Sequence, residues 1–305
     1  MTDAHTNNDH GRPSDPVQLA FSTNAYSEHS LPEAIRRIAG HGYDGVEILA
    51  DEPHAFVPDF DGTALDAVQA ALRETGLEVS NINANTAMGY YDDAPPSAFF
   101  EPSLITADDT SREWRVEYTK GAIDLAAAVG APSVCVATGQ PLPGNPPERA
   151  REYLHESLHE ILGHAEKRDV RVGIEFEPEL LIECVDETLA LIDNLDSEAL
   201  GVNLDLGHAA VNGTDPADAI RRSGDHITGI HLEDIGGNGH GKHYHRIPGE
   251  GDLDFEAMFD ALDAIGYGGF ATLELYTYPD EPDRAAREAH ERLKPYLSRR
   301  PERPG

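Results

Sequence analysis

The chain has 305 residues, 39% of them hydrophobic, which is enough for a sizeable core and argues against global disorder. No apolar run approaches the roughly 18 residues a membrane-spanning helix needs, MTDAHTNNDHGRPSDP at the N-terminus has no apolar signal core, and Cys135 and Cys184 are too few for a disulfide framework or a cysteine-built zinc site. Against 23 Lys plus Arg stand 56 Asp plus Glu, and a formal charge of −33 repels nucleic-acid phosphates and anionic membranes.

Taken in order, the chain alternates between strand-like and helix-like segments. Val17–Phe21 is a short apolar run, and Leu31–His41 follows with helical spacing. Gly45–Leu49 reads as a strand, Thr63–Thr75 as a helix, Leu77–Ile82 as a strand and Arg112–Val129 as a long helix. Ser133–Ala137, Val170–Phe176, Leu200–Leu206, Ile227–Leu232 and Gly269–Leu275 read as further strands. Between and after them come helical stretches at Pro146–Arg168, Asp186–Leu195, Pro216–Ser223, Phe255–Ile265 and Arg284–Leu297. Eight β/α units imply a parallel sheet, and at this length an α/β fold of the single-domain (β/α)8 barrel kind, spanning 17–297 between disordered tails at 1–16 and 298–305. The rival, an open doubly wound sheet, would carry a glycine-rich first turn. STNAYSEHS after Phe21 has no glycine.

In such a barrel the active site lies at the C-terminal strand ends. Polar residues collect there: Glu47, Asp51 and His54 after strand two, and Asn81, Asn83 and Asn85 on strand three. Glu175 and Glu177 follow on strand five, Asp205 and His208 on six, His231, Glu233 and Asp234 on seven, and Glu274 on eight. Strand alternation sorts them. The apolar residues Val172, Ile174, Val202, Leu204, Ile230, Leu232, Leu273 and Leu275 take the helix-facing side. Glu175, Glu177, Asn203, Asp205, His231 and Glu274 therefore face the barrel axis. Three carboxylates at one mouth need a cation or strongly shifted pKa values. With one imidazole they suit a single hard-to-borderline divalent ion: Mn²⁺ is expected, and Mg²⁺, Co²⁺ or Zn²⁺ also suit.

The pattern Glu175, Asp205-x-x-His208, His231 and Glu274 resembles the xylose-isomerase-like TIM-barrel superfamily. GYDGVEI at strand two, HLED at strand seven, PGEGDLDF at 248–255 and GYGGFATLELY at 266–276 support the resemblance over roughly 17–297. That superfamily holds sugar-phosphate isomerases and epimerases, inosose-processing enzymes, dehydroshikimate dehydratases and endonuclease IV. The resemblance implies metal ligation by Glu175, Asp205, His231 and Glu274, with Glu175 and Glu274 also moving the proton. It implies a substrate contact from Arg246, a substrate contact or, in the nuclease, a second metal for His208, and places Glu177 near the substrate. Because Glu177 faces the same way as Glu175, the choice of ligand between the two stays open.

The loop GGNGHGKHYHRIPGEG holds His240, His243 and His245, either as a solvated glycine-rich loop or with His243 and His245 folded over the metal mouth. His243-Tyr244-His245 stands where endonuclease IV has an Asp-x-His. The histidines that nuclease takes from strands three and four are Asn83 and Thr138 here, which counts against a nuclease. The connection 84–111 is long enough for a lid, with Tyr90, Tyr91, Phe99 and Phe100 as its aromatic residues. His54 and Asn83 are further candidates for substrate contact.

The reading is a metal-dependent isomerase or epimerase of a sugar or polyol-like hydroxy-ketone, working through an enediolate-type intermediate. The alternatives are a metal-dependent dehydratase of an inosose or dehydroshikimate and a non-catalytic sugar binder. No local sequence supports a phosphorylated substrate. A cytoplasmic location is expected, with no nucleic-acid or membrane partner; association between identical chains is left open. Four Lys against 19 Arg in so acidic a chain resembles proteins of salt-loaded cytoplasms.

Overall fold

The computed structural model describes residues 16–93, 99–236 and 243–297. Apart from Pro16, the expected tails at 1–16 and 298–305 lie outside the described residues, as does His240. Eight parallel strands close into a barrel in sequence order: β1 Gln18–Ser22, β2 Gly45–Leu49, β3 Glu78–Asn83, β4 Ser133–Ala137, β5 Arg171–Glu175, β6 Leu200–Asp205, β7 Ile227–Leu232 and β8 Phe270–Leu273. The last strand pairs with the first, Gln18 to Phe270 through Phe21 to Leu273, so the sheet has no edge.

Around it run α1 Leu31–Gly40, α2 Gly62–Thr75, α3 Asp109–Val129, α4 Pro147–Arg168, α5 Val185–Leu195, α6 Leu206–Val211, α7 Pro216–Ser223, α8 Phe255–Ile265 and α9 Pro282–Leu297. Their boundaries follow local chemistry. Asp61, Asp108, Asp215 and Asp254 each accept a backbone N–H from the first turn of the helix that follows. Gly76, Gly130 and Gly266 end α2, α3 and α8 in the left-handed region, where a side chain would be strained. None of these described helices is long and apolar enough to cross a membrane.

The outward strand residues Val172, Ile174, Val202, Leu204, Ile230, Leu232 and Leu273 are buried under the helices, as alternation requires. The one helix missing from the sequence reading is α6. Strand six was expected to run on through Leu206, but it stops at Asp205, whose Oδ1 accepts the His208 N–H at 2.7 Å and starts the helix. The Asp205-x-x-His208 spacing is thus also a helix cap, and it turns His208 back over the mouth.

Candidate active site

The C-terminal strand ends enclose a cavity of about 220 Å³. Glu175, Glu177, His208, His245 and Glu274 line its polar side, and Leu49, Phe99, Phe100 and Tyr276 its apolar side. Asp205 and His231 lie fully buried beneath. Glu175, Asp205, His231 and Glu274 each offer one ligand atom, and these four atoms lie within 4.8 Å of one another. Glu177 is outside that group although it faces the same cavity.

Each member is held by neighbours the sequence places on adjacent strands. The His231 ring lies among three carboxylates: Nε2 lies 2.7 Å from Glu47, while Nδ1 faces Glu175 at 2.9 Å and Glu274 at 3.7 Å. A metal-binding imidazole commonly gives its second nitrogen to a carboxylate in this way, which fixes the ring and leaves the other nitrogen for the ion. Asn203 Nδ2 and Cys135 Sγ donate to Glu175 Oε2, at 2.7 and 2.8 Å. Asn24 and Asn83 both donate to Glu274 Oε1, at 3.0 and 2.9 Å.

Charge in this interior is poorly compensated. Burial opposes ionisation of Glu175, but the neighbouring His231 overrides it and holds the carboxyl below its ordinary range. Burial likewise opposes protonation of His231, and Glu47, Glu175 and Glu274 override it, holding the imidazole well above its usual value. Glu274 is pushed well up by burial, with Glu175 and Glu47 adding to it and His231 opposing. Burial raises Glu177 to about 7. Asp205 Oδ2 is buried and has no hydrogen-bond partner among the described residues. Three carboxylates and one imidazole, one oxygen of them unpartnered, fit a hard-to-borderline divalent cation.

The structure brings His208 to the cavity, its Nδ1 bonded to the Phe176 carbonyl at 3.2 Å. It folds His243 and His245 over the mouth: His245 is buried in the cavity wall, and the His243 ring centre lies 5.0 Å from that of His208. Phe99 and Phe100 reach the cavity. Tyr90 instead packs on Trp114 outside it, 4.5 Å between ring centres.

The structure places three further expected substrate contacts as follows. His54 does not line the cavity: it is enclosed, with Nδ1 on Thr23 Oγ1 and Nε2 on the Tyr26 and His29 carbonyls, and so fastens the loop after β1. Arg246 is exposed at the rim; its guanidinium donates to the Glu250 carbonyl at 3.1 Å and its backbone pairs with Asp234. Asn83 does line the cavity, but its amide is committed, Nδ2 to Glu274 and Oδ1 to the Asn85 N–H, so it positions the carboxylate. Glu47 and Asn203, passed over as site residues, hold His231 and Glu175. Their inward parity was the available signal.

Comparison with known proteins agrees with this architecture. The model of the xylose isomerase-like TIM barrel family matches residues 35–296. The chain belongs to that family. Fructoselysine 3-epimerase of Shigella flexneri is 27% identical over 288 residues, covering 92% of this chain and 98% of that protein. D-psicose 3-epimerase of Enterocloster bolteae is 32% identical over 133 residues, 42% of this chain and 40% of that one. Among solved structures, a D-tagatose 3-epimerase-like protein superposes with a TM-score of 0.75 at 22% identity, covering 92% of this chain and 97% of that one. The IOLI protein with a bound zinc atom gives 0.76 at 18% identity, covering 94% of this chain and all of that one. The two solved structures share the barrel, and the two epimerase relatives share recognisable sequence with this chain.

Proposed function

We propose that the protein is a divalent-metal-dependent epimerase that inverts a carbon next to the carbonyl of an unphosphorylated ketose or similar hydroxy-ketone. The observation that carries this reading is the four-donor group Glu175, Asp205, His231 and Glu274 at the floor of a sugar-sized cavity. The epimerase names of its relatives point the same way. Among the described residues no Lys or Arg lines the cavity, which favours a substrate without phosphate.

When bound by those four residues, the ion supplies Lewis-acid polarisation of adjacent carbonyl and hydroxyl oxygens. The protein's own groups move the proton. Glu175 and Glu274 approach the same His231 nitrogen from β5 and from the end of β8, and this reading assigns one carboxylate to each face of the substrate carbon. One removes the proton, leaving an enediolate-type intermediate, and the other returns a proton to the opposite face. Asn203 and Cys135 occupy Oε2 of Glu175, leaving Oε1 for this work; Asn24 and Asn83 occupy Oε1 of Glu274, leaving Oε2. His208 and Glu177 take the remaining substrate hydroxyls, while Leu49, Phe99, Phe100 and Tyr276 exclude water.

The test is to incubate free ketoses and cyclic polyol ketones with Mn²⁺-supplied protein in D₂O, remove the metal, and record proton NMR. Solvent deuterium at the inverted carbon together with a new epimer is the expected result. An alkene signal would assign dehydration in its place, and absence of exchange across the panel would sink the reading.

A further inference from the structure

We infer that the outer surface of the barrel carries a transition-metal site of its own, formed by His155 and His159 on α4 with Glu156 beside them. Its ligand is a borderline divalent ion such as Zn²⁺, Cu²⁺ or Ni²⁺. The site shares no residue with the catalytic cavity and is independent of the proposed activity.

Residues 155–159 read His-Glu-Ser-Leu-His. Histidines four apart lie one turn above each other on the same helix face, with Cβ atoms about 5–6 Å apart. One ion can join both rings at that separation, and H-E-x-x-H is a spacing that helical zinc sites use. The two histidines lie in the middle of the 22-residue α4, away from its fraying ends. Leu154, Leu158 and Ile161 of the same turns are buried and anchor the helix on the barrel. The backbone therefore holds the pair in register before an ion arrives, and binding has only side chains to order.

Both rings are exposed, and they line one surface depression with Glu156, Glu160 and Leu195, the last residue of α5. Neither ring has a hydrogen-bond or ion-pair partner among the described residues. Histidines on other faces are engaged: His41 meets Asp283 at 3.1 Å, His164 meets Asp124 at 2.8 Å, and His290 packs edge-on against the Tyr43 ring. Glu160 is tied to Lys120 at 3.0 Å, whereas Glu156 has no partner among the described residues and offers a carboxylate in the same depression. A single exposed imidazole is an ordinary surface group and a weak ligand. Two held one turn apart act as a chelate, because the second bond forms within one molecule. Imidazole nitrogens disfavour Mg²⁺ and Ca²⁺, which take oxygen ligands, and suit Zn²⁺, Cu²⁺ or Ni²⁺. The charge of −33 draws such cations to the surface.

The test uses untagged, full-length protein and Cu²⁺ held in iminodiacetate. That complex leaves positions open for two imidazoles and is too bulky to enter the buried four-donor group. Titration calorimetry compares wild type, His155→Asn, His159→Asn and His226→Asn, the last removing the one other exposed histidine among the described residues. Circular dichroism checks each fold. Wild type and His226→Asn should bind one complex per chain with the same affinity. His155→Asn and His159→Asn should each bind at least ~10-fold more weakly, since either change leaves a single ring. Equal affinity in all four proteins, a fall in His226→Asn as large as in the other two variants, or no binding by wild type overturns the site. A fall in only one of His155→Asn and His159→Asn overturns the chelate as well.

Discussion

Two kinds of buried carboxylate share one end of this barrel. Asp51 and Asp234 are surrounded by donors. Asp51 accepts from Glu52 N, Thr86 Oγ1, Met88 N and Gly89 N, at 2.6–3.0 Å. Asp234 accepts four backbone N–H groups, from Ile235, Gly249, Gly251 and Leu253, and so folds the PGEGD loop onto β7. Asp205, Glu233 and Glu274 sit as deep but have few donors or none. Depth is therefore not what separates scaffold from chemistry here. The supply of N–H groups is: a satisfied carboxylate stabilises the fold, and an unsatisfied one stores binding capacity for a cation or a proton.

Exchanging carboxylate for amide should give opposite signs in the two sets, and this is the sharpest way to break the comparison. Asp234→Asn turns an NH₂ toward backbone donors and should cost about 3 kcal/mol, the scale of losing charge-assisted hydrogen bonds. Glu233→Gln relieves repulsion and, in metal-free protein, should be neutral or stabilising. Urea denaturation of both variants after chelation reads the difference; destabilisation of equal size in the two would remove the distinction.

Within the unsatisfied set, proton carrier and pure ligand should part company. Glu274→Gln should lower turnover by at least ~10²-fold, as for loss of a general acid or base, even in excess metal. Asp205→Asn should recover substantially as metal concentration rises. Rescue of Glu274→Gln to near the wild-type rate would make Glu274 a ligand only.

Glu177 lies between the two sets, and pH exposes it. Burial raises its carboxyl from 4.5 to about 7, so the folded chain holds this proton more tightly than the unfolded one. Nothing is lost below the unfolded value. Stability falls as pH rises from 4.5 through 7, by an amount on the order of 3 kcal/mol. Glu177→Gln should therefore match wild type near pH 4 and exceed it near pH 8, measured as unfolding midpoints. An equal offset at both pH values would mean Glu177 does not titrate in this window.

The smallest effect concerns the exposed acids, which are neither saturated nor clustered. Raising KCl from about 0.1 to 2 M should screen the charge of −33 and raise the melting temperature by several degrees. A flat profile would show that the surface acids tolerate one another without salt.

The sequence by itself determined the barrel, the end that bears the site and the inward set Glu175, Asp205, His231 and Glu274. These follow from alternation along strands and from eight repeats of one unit, both of which are local patterns. Tertiary structure alone decided which polar residues at that end have partners. His54 carries the same ring as the cavity residues His208 and His245, but carbonyls and a hydroxyl supplied by other segments hold it elsewhere. Asp234 and Glu233 are neighbours in the chain with opposite fates, because donors come from residues 249–253 for one and from no described residue for the other. Hydrogen-bond satisfaction depends on segments distant in sequence, so no pattern along the chain can express it.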